Sequence, residues 1–325
     1  MKTEKNLMLR IPFDYLVILP PLCVGLMLFS GNANAQAPAY AETDAKQIGD
    51  AAGTQATLKD GVVRIGWPRN DVKVTVDGMP LQPFAGLGSW AVFKRTSHGA
   101  MMMGDTVVFQ DEVTPAMDAA FANGLEVTAL HNHFFFDEPK VYFMHIGGQG
   151  SPETLAKGVK AVWEAIRQVR SHARHPATRY PGKSPDASGT LSKTSIEEIV
   201  GHNGQTQDGV VKISIGRDGE MHGVKVGGAM GLGTWMAFSG NDELAAVDGD
   251  FIMTASEVQP VLRSLRKHGI HIVALHNHMI GEKPAFYFTH YWGKGSAQSL
   301  ATAIRAALDA QKAVKDAHDD VKDGR

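Results

Sequence analysis

A block of histidines occurs twice in this chain at one fixed spacing. Leu130-His131-Asn132-His133 is followed by His145, and Leu275-His276-Asn277-His278 by His290. Positions 131, 133 and 145 map onto 276, 278 and 290 by the same shift of 145 residues. A self-match at constant period means a duplicated unit, and it constrains the fold more than any single motif. The surrounding text repeats as well. Asp60-Gly61-Val62-Val63 returns as Asp208-Gly209-Val210-Val211, Gly86-Leu87-Gly88-Ser89-Trp90 as Gly231-Leu232-Gly233-Thr234-Trp235, and Gly104-Asp105 as Gly249-Asp250.

Each copy reads as mixed helix and strand. The Asp-Gly pairs signal turns into strands over 60–65 and 208–213, and residues 104–109 and 249–254 are strand-like. Helices follow over 111–122 and 256–267, stopped by Gly124 and Gly269. Strands are expected over 125–136 and 270–280, turns at Asp137-Glu138-Pro139 and Glu282-Lys283-Pro284, and return strands over 140–146 and 285–292. Closing helices span 151–173 and 296–317; in the first, Leu155, Val159, Val162, Ile166 and Val169 recur at helical spacing. The fold class is therefore α+β: two homologous tandem domains, 44–173 and 191–318, each a mostly antiparallel sheet with packed helices. A Pro-, Arg- and Ser-rich linker, 174–190, joins them, and a polar tail covers 319–325.

The amino terminus reads as a signal peptide over 1–35. Lys2, Lys5 and Arg10 lead a nearly apolar run, 15–29, that is short for a membrane span, and Ala33-Asn34-Ala35 offers a small-x-small cleavage site. The expected mature chain starts at Gln36 with a leader, 36–43, is periplasmic or secreted, and keeps no stable membrane span. The single cysteine, Cys23, falls inside the apolar run, so the mature chain has neither disulfide nor thiolate ligand. A formal charge of −2 gives no basic surface for nucleic acid.

Side chains alternate across a strand, so His131 and His133 share a face, as do His276 and His278. With the hairpin turn centred on 138, His145 is expected opposite His131; centred on 283, His290 is expected opposite His276. Three neutral imidazoles per copy, His131, His133 and His145 or His276, His278 and His290, leave a fourth position open, the pattern of a catalytic rather than a structural zinc site. A divalent transition metal, zinc first, is the cofactor these residues imply. A metal-free polar pocket and a purely structural histidine stack are the competing readings. One ion per copy and one site shared between copies are both compatible with the spacing.

Glu112 and Glu257 occupy equivalent first-turn positions and are candidate general bases, against the reading that they cap their helices, since Thr254-x-x-Glu257 has capping-box spacing. Gly-x-Gly at 86–88 and 231–233 reads as a tight turn plus a core tryptophan rather than a phosphate loop, because it opens a strand. His131-x-His133-x4-Glu138 resembles the first half of a cupin motif, but the second half does not follow.

The chain resembles the LppY/LpqO family of exported bacterial proteins, some of them lipoproteins, whose activity is not established. The residues that carry this are Gly86 to Trp90, Met103-Gly104-Asp105, Asp111-Glu112-Val113, Ala129-Leu130-His131-Asn132-His133, Pro139 and Phe143-x-His145, with their second-copy counterparts Gly231 to Trp235, Gly249-Asp250, Glu257-Val258, Ala274 to His278, Pro284 and Phe288-x-His290. The resemblance implies an exported two-unit protein and supplies no reaction. Two classes of function stand: a metal-dependent hydrolase, or a non-catalytic periplasmic binding protein for a small-molecule or envelope ligand or for the metal itself.

Overall fold

The computed structural model describes residues 39–323. The expected signal segment and cleavage site lie outside the described residues. The first copy contains α1 (Glu42–Ala52), β1 (Ala56–Lys59), β2 (Val62–Pro68), β3 (Val74–Val76), β4 (Met79–Leu81), β5 (Gly88–Thr96), β6 (Gly99–Phe109), α2 (Val113–Ala122), β7 (Glu126–His131), β8 (Asp137–Glu138), β9 (Val141–Gly150) and α3 (Pro152–His172). The second contains α4 (Lys193–Val200), β10 (Gly204–Gln207), β11 (Val210–Gly216), β12 (Gly219–Met221), β13 (Val224–Val226), β14 (Gly233–Gly240), β15 (Ala245–Met253), α5 (Ala255–Lys267), β16 (His271–His276), β17 (Tyr287–Gly295) and α6 (Ala297–Asp323). The fold is α+β, as the patterning requires.

The two copies join edge to edge into one 12-stranded antiparallel sheet in the order β1-β2-β5-β6-β9-β7-β16-β17-β15-β14-β11-β10. The sequence of strands reads the same from either edge, as duplication demands. The seam is short: Leu130 of β7 pairs with Leu275 of β16. Both leucines belong to one apolar core that runs through both copies. Arg263 strengthens the junction by donating to the carbonyls of Phe121 and Leu125, and Gln259 exchanges bonds with the Val127 backbone. Leu130 is 1% exposed, so Leu130→Ala should cost about 3 kcal/mol of stability, read as a lower urea midpoint with an unchanged slope.

Strand alternation separates two faces. On β9, Met144 and Ile146 enter the helix-covered core, while Val141 and Phe143 enter a smaller cluster with Val72, Val74, Leu87, Val107 and Phe109. The helices therefore line one face, and the other face is only partly covered, by the flap β4-β3-β8. Asp60-Gly61 and Asp208-Gly209 take positive φ at both positions, the conformation a two-residue hairpin turn needs. Ser151 caps α3 by accepting from the Thr154 amide at 3.1 Å, and Ser296 accepts from Ser299 at 3.2 Å.

Several boundaries differ from expectation. α1 starts at Glu42, inside the segment read as leader, and α6 continues to Asp323, through the segment read as tail. The linker has no helix or strand, yet it is docked: Tyr180 stacks on His271 with centroids 4.0 Å apart, and Lys294 Nζ donates to the Pro181 and Lys183 carbonyls. Strands expected to run to 136 and 280 stop at His131 and His276, because the residues that follow leave the main sheet to meet the flap, Val76 pairing with Asp137 and Thr75 with Glu138. Among the described residues no helix is long and apolar enough to cross a membrane.

Candidate metal centre

The open face of each copy gathers its histidines. In the first, Phe143 and His145 stand on β9, Asp105 of β6 lies directly opposite His145, and His131 closes β7 opposite Phe143. The second repeats this with Phe288, His290, Asp250 and His276. The expected direct pairing of His131 with His145 and of His276 with His290 is corrected: His145 pairs with Ala129, and His290 with Ala274. The count failed because residues 137–138 are a flap strand rather than a hairpin turn, and because β7 and β16 each carry a bulge. The histidines are diagonal neighbours instead, a separation that rings can still bridge.

The rings do converge. His131 lies 5.2 Å from both His133 and His145 between centroids. His276 lies 5.1 Å from His278 and 4.9 Å from His290. Each exposed histidine is laid flat on a phenylalanine: His133 on Phe143 at 3.2 Å and His278 on Phe288 at 3.5 Å. Asn132 and Asn277 hold the turns after the strand by donating to the Phe134 and Met279 carbonyls.

Backbone carbonyls fix the ring tautomers. Nδ1 of His131 faces the Asn132 carbonyl at 3.2 Å, Nδ1 of His276 the Asn277 carbonyl at 3.3 Å, and Nδ1 of His290 the Gly249 carbonyl at 3.1 Å. A carbonyl only accepts, so Nδ1 carries the proton and Nε2 keeps its lone pair, the arrangement that metal-ligating histidines use. Nε2 of His276 is buried without a partner.

Each cluster has a fourth member that the sequence reading took for ordinary strand. Asp250 Oδ2 lies 3.1 Å from His278 Nε2, and its side chain is 2% exposed. Asp105 Oδ1 lies 3.9 Å from His145 Nε2. Oδ1 of both aspartates is buried with no hydrogen-bond partner, a costly condition for a carboxylate unless a cation completes it. Donor atoms of Asp250, His276 and His278 all lie within 4.8 Å of one another, close enough to hold one ion. A signal was present in the sequence: an acid inside an apolar strand, at 105 and again at 250, in step with the histidines.

Electrostatics favour ligation. Burial lowers the His133 pKa, with His131 pushing the same way and Asp105 opposing. Burial likewise lowers His278 against the pull of Asp250. Both rings are thus neutral donors at neutral pH. Burial raises the Asp105 pKa, although the three neighbouring histidines oppose it; a bound cation would favour its ionised form.

Glu112 and Glu257 do not belong to these clusters, and of the two readings weighed for them it is the helix-start one that their contacts match. Glu112 is fully buried, takes both Nη atoms of Arg69 at 2.8 and 2.9 Å, pairs with Arg170 at 2.7 Å and accepts from the Phe109 amide. Glu257 takes Arg217 at 2.6 and 2.9 Å and accepts from the Thr254 amide, completing the capping box. Their oxygens are committed to holding helix starts. The Gly-x-Gly segments open strands, as expected. The tryptophans after them are not core residues, however: Trp90 and Trp235 are half-buried beneath the cations of Arg64 and Lys212, while Leu87 and Leu232 fill the apolar clusters. Glu138 is exposed in the flap and Glu282 accepts from the Phe286 amide, so neither extends a cupin-like set.

The histidine rings form two groups, one per copy. At the antiparallel seam Leu130 pairs with Leu275, so His131 and His276 each lie one residue beyond that pair, on either side of it. The histidine stacks join rings of the same copy.

Comparisons with known proteins agree on the duplication. A family model described as Domain of Unknown Function (DUF1259) matches residues 46–165 and again 194–310. Curated proteins gave no match. Among solved structures, the trimeric bacterial microcompartment shell protein PduB is similar at 10% identity and a TM-score of 0.19, over 86% of this chain and 91% of that one. The ethanolamine utilization protein EutL from Leptotrichia buccalis is similar at 11% identity and a TM-score of 0.18, over 68% and 84%. EtuB from Clostridium kluyveri is similar at 8% identity and a TM-score of 0.19, over 81% and 91%. Scores this low carry no argument.

Proposed function

The chain belongs, in two copies, to the family described as Domain of Unknown Function (DUF1259), and from its sites we propose an exported metal-binding protein with one divalent transition-metal ion, zinc first, in each copy. The observation that carries this is the buried, unpartnered Oδ1 of Asp250 and Nε2 of His276, with His278 Nε2 3.1 Å from the other oxygen of the same carboxylate. The donors that come within one ion's reach, two imidazoles and the Asp250 carboxylate, suit zinc, with His290 adjoining through its stack on His276, and imidazole also suits copper and nickel. His133 and His278 are exposed, so a ligand can approach from solvent.

Between the two classes of function, binding is favoured. Hydrolysis needs a base within reach of metal-bound water, and Glu112 and Glu257 are held by arginines. The protein is read as a periplasmic or secreted binder of a small-molecule or envelope ligand through its ions. The resemblance to LppY/LpqO proteins supports export. The exported form should begin at Gln36; mass spectrometry of the amino terminus checks it, and an intact residue 1 on protein outside the cytoplasm would refute it.

The test of metal binding is reconstitution, followed by elemental analysis after gel filtration. Protein that stays metal-free with zinc, copper and nickel ends the proposal. Affinity should also depend on pH with a definite sign. The ion binds neutral imidazole, so protons compete, and zinc affinity should fall as pH drops through about 6.5 and below, the ordinary histidine range. Because partial desolvation lowers His133 and His278, those two rings yield to protons later than a fully solvated histidine does. Affinity that rises toward acid would exclude histidine ligands.

A further inference from the structure

Both centres are bordered by apolar side chains that no described residue covers. In the first copy Met79 is 63% exposed, Phe84 105% and Phe135 79%; in the second Val224 is 61%, Met230 66% and Ile280 84%. Met79 and Val224, like Phe135 and Ile280, are equivalent positions under the shift of 145. Phe84 and Met230 both come from the short 3-10 turns before β5 and β14. Single exposed hydrophobes are ordinary, but a cluster at the rim of a site marks a binding surface.

These side chains adjoin the ligands. The Asp77 amide donates to the Phe136 carbonyl at 3.1 Å, fastening the β3–β4 turn to the segment after His133. Phe134 stands edge-on to His133 at 6.0 Å, and its ring tip lies 3.5 Å from the Cβ position of Gly86, beside Phe84. In the second copy Glu220 and Lys283 exchange backbone bonds at 2.8 and 2.9 Å, bringing the β12–β13 turn to the segment after His278. Val224 and Ile280 thus repeat the placement of Met79 and Phe135.

We propose that each centre takes a medium-chain fatty acid anion, its carboxylate on the ion and its chain along the apolar rim. This rests on the metal-binding reading. A divalent ion held by neutral imidazoles and a single carboxylate keeps a positive charge, so the head is anionic. The rim is phenylalanine-rich in one copy and Met, Val and Ile in the other. Both copies therefore offer apolar surface without a common planar slot, and a flexible acyl chain fits both where a rigid ring does not.

The test is calorimetric titration of the zinc-loaded protein with acetate, hexanoate, decanoate and phenylacetate. Full burial of a methylene is worth about fourfold in affinity, so on an open rim about twofold per methylene is expected, on the order of tenfold from hexanoate to decanoate. The combined variant F84S/F135S/M230S/I280S should bind acetate as before and lose the dependence on chain length, with zinc content unchanged. Decanoate binding no tighter than acetate overturns the proposal, as does equal binding to zinc-free protein. Phenylacetate as tight as decanoate overturns the acyl assignment, and chain-length dependence that survives in the variant overturns the rim. Protein that loads no zinc ends this inference together with the metal reading; zinc-loaded protein indifferent to chain length ends this one alone.

Discussion

Zinc-reconstituted protein should carry two ions per chain, and Asp250→Ala should reduce this to one. The buried carboxylate is the group that most needs a cation, since its Oδ1 has no partner and its side chain is 2% exposed. Loss of an outer partner of a ligand alone costs 10–100-fold in metal affinity, so removal of a direct ligand should cost about 100-fold or more at that site. Asp105→Ala should do the same in the first copy, and the double variant should bind no ion tightly. Because the ring stacks join histidines of the same copy, each single variant should leave the other copy's affinity intact. Zinc should also raise stability, by about 2.7 kcal/mol at a hundredfold excess over the dissociation constant of one site. Asp250→Ala protein that retains two ions would remove the aspartate from the ligand set. His278→Ala protein that retains two as well would leave the cluster a structural stack.

The duplication, the α+β class and the two groups of three histidines were legible because they depend on local pattern: a fixed shift, apolar alternation, glycine stops. The register was not. Counting back from Asp137-Glu138-Pro139 assumed a hairpin, but that segment pairs with β3, which lies more than sixty residues earlier in the chain. Nor does pattern report that β7 would meet β16 through Leu130 and Leu275, since an edge strand that pairs with another copy reads like any half-buried strand. Asp105 and Asp250 were in plain view at the right shift, yet a carboxylate in a strand has a default solvated reading; only its burial opposite His145 or His290 makes it a ligand candidate. Glu112 and Glu257 were left between capping and catalysis for the converse reason. The capping spacing was visible, but the arginines that claim them, Arg69 and Arg217, lie 43 and 40 residues away.

Glu112→Ala should be among the most destabilising single changes in the chain, and it separates structure from chemistry at that position. Arg69 has no exposed side-chain surface, and it divides its donors between Glu112, Asp71 and the Val107 carbonyl. Arg170, nearly as buried, pairs with Glu112 and Asp111. Removing Glu112 leaves two buried guanidiniums short of a counter-charge, a change worth about 3–5 kcal/mol. The second copy makes a milder version of the same contact. Arg217 keeps 26% of its side chain exposed and pairs with Glu257, which Gln311 also reaches at 3.2 Å. Burial pushes the Glu257 pKa up, but Arg217 and the Thr254 amide together overcome it and hold it low. That contact therefore stabilises the fold above the ordinary glutamate range, and the contribution is lost as pH falls through the lowered value. Glu257→Ala should cost less than Glu112→Ala, because water can solvate the arginine it abandons. Urea denaturation at neutral pH measures both, with zinc content measured alongside. Two ions retained in both variants would fit helix anchors; loss of an ion from either would return that glutamate to the site.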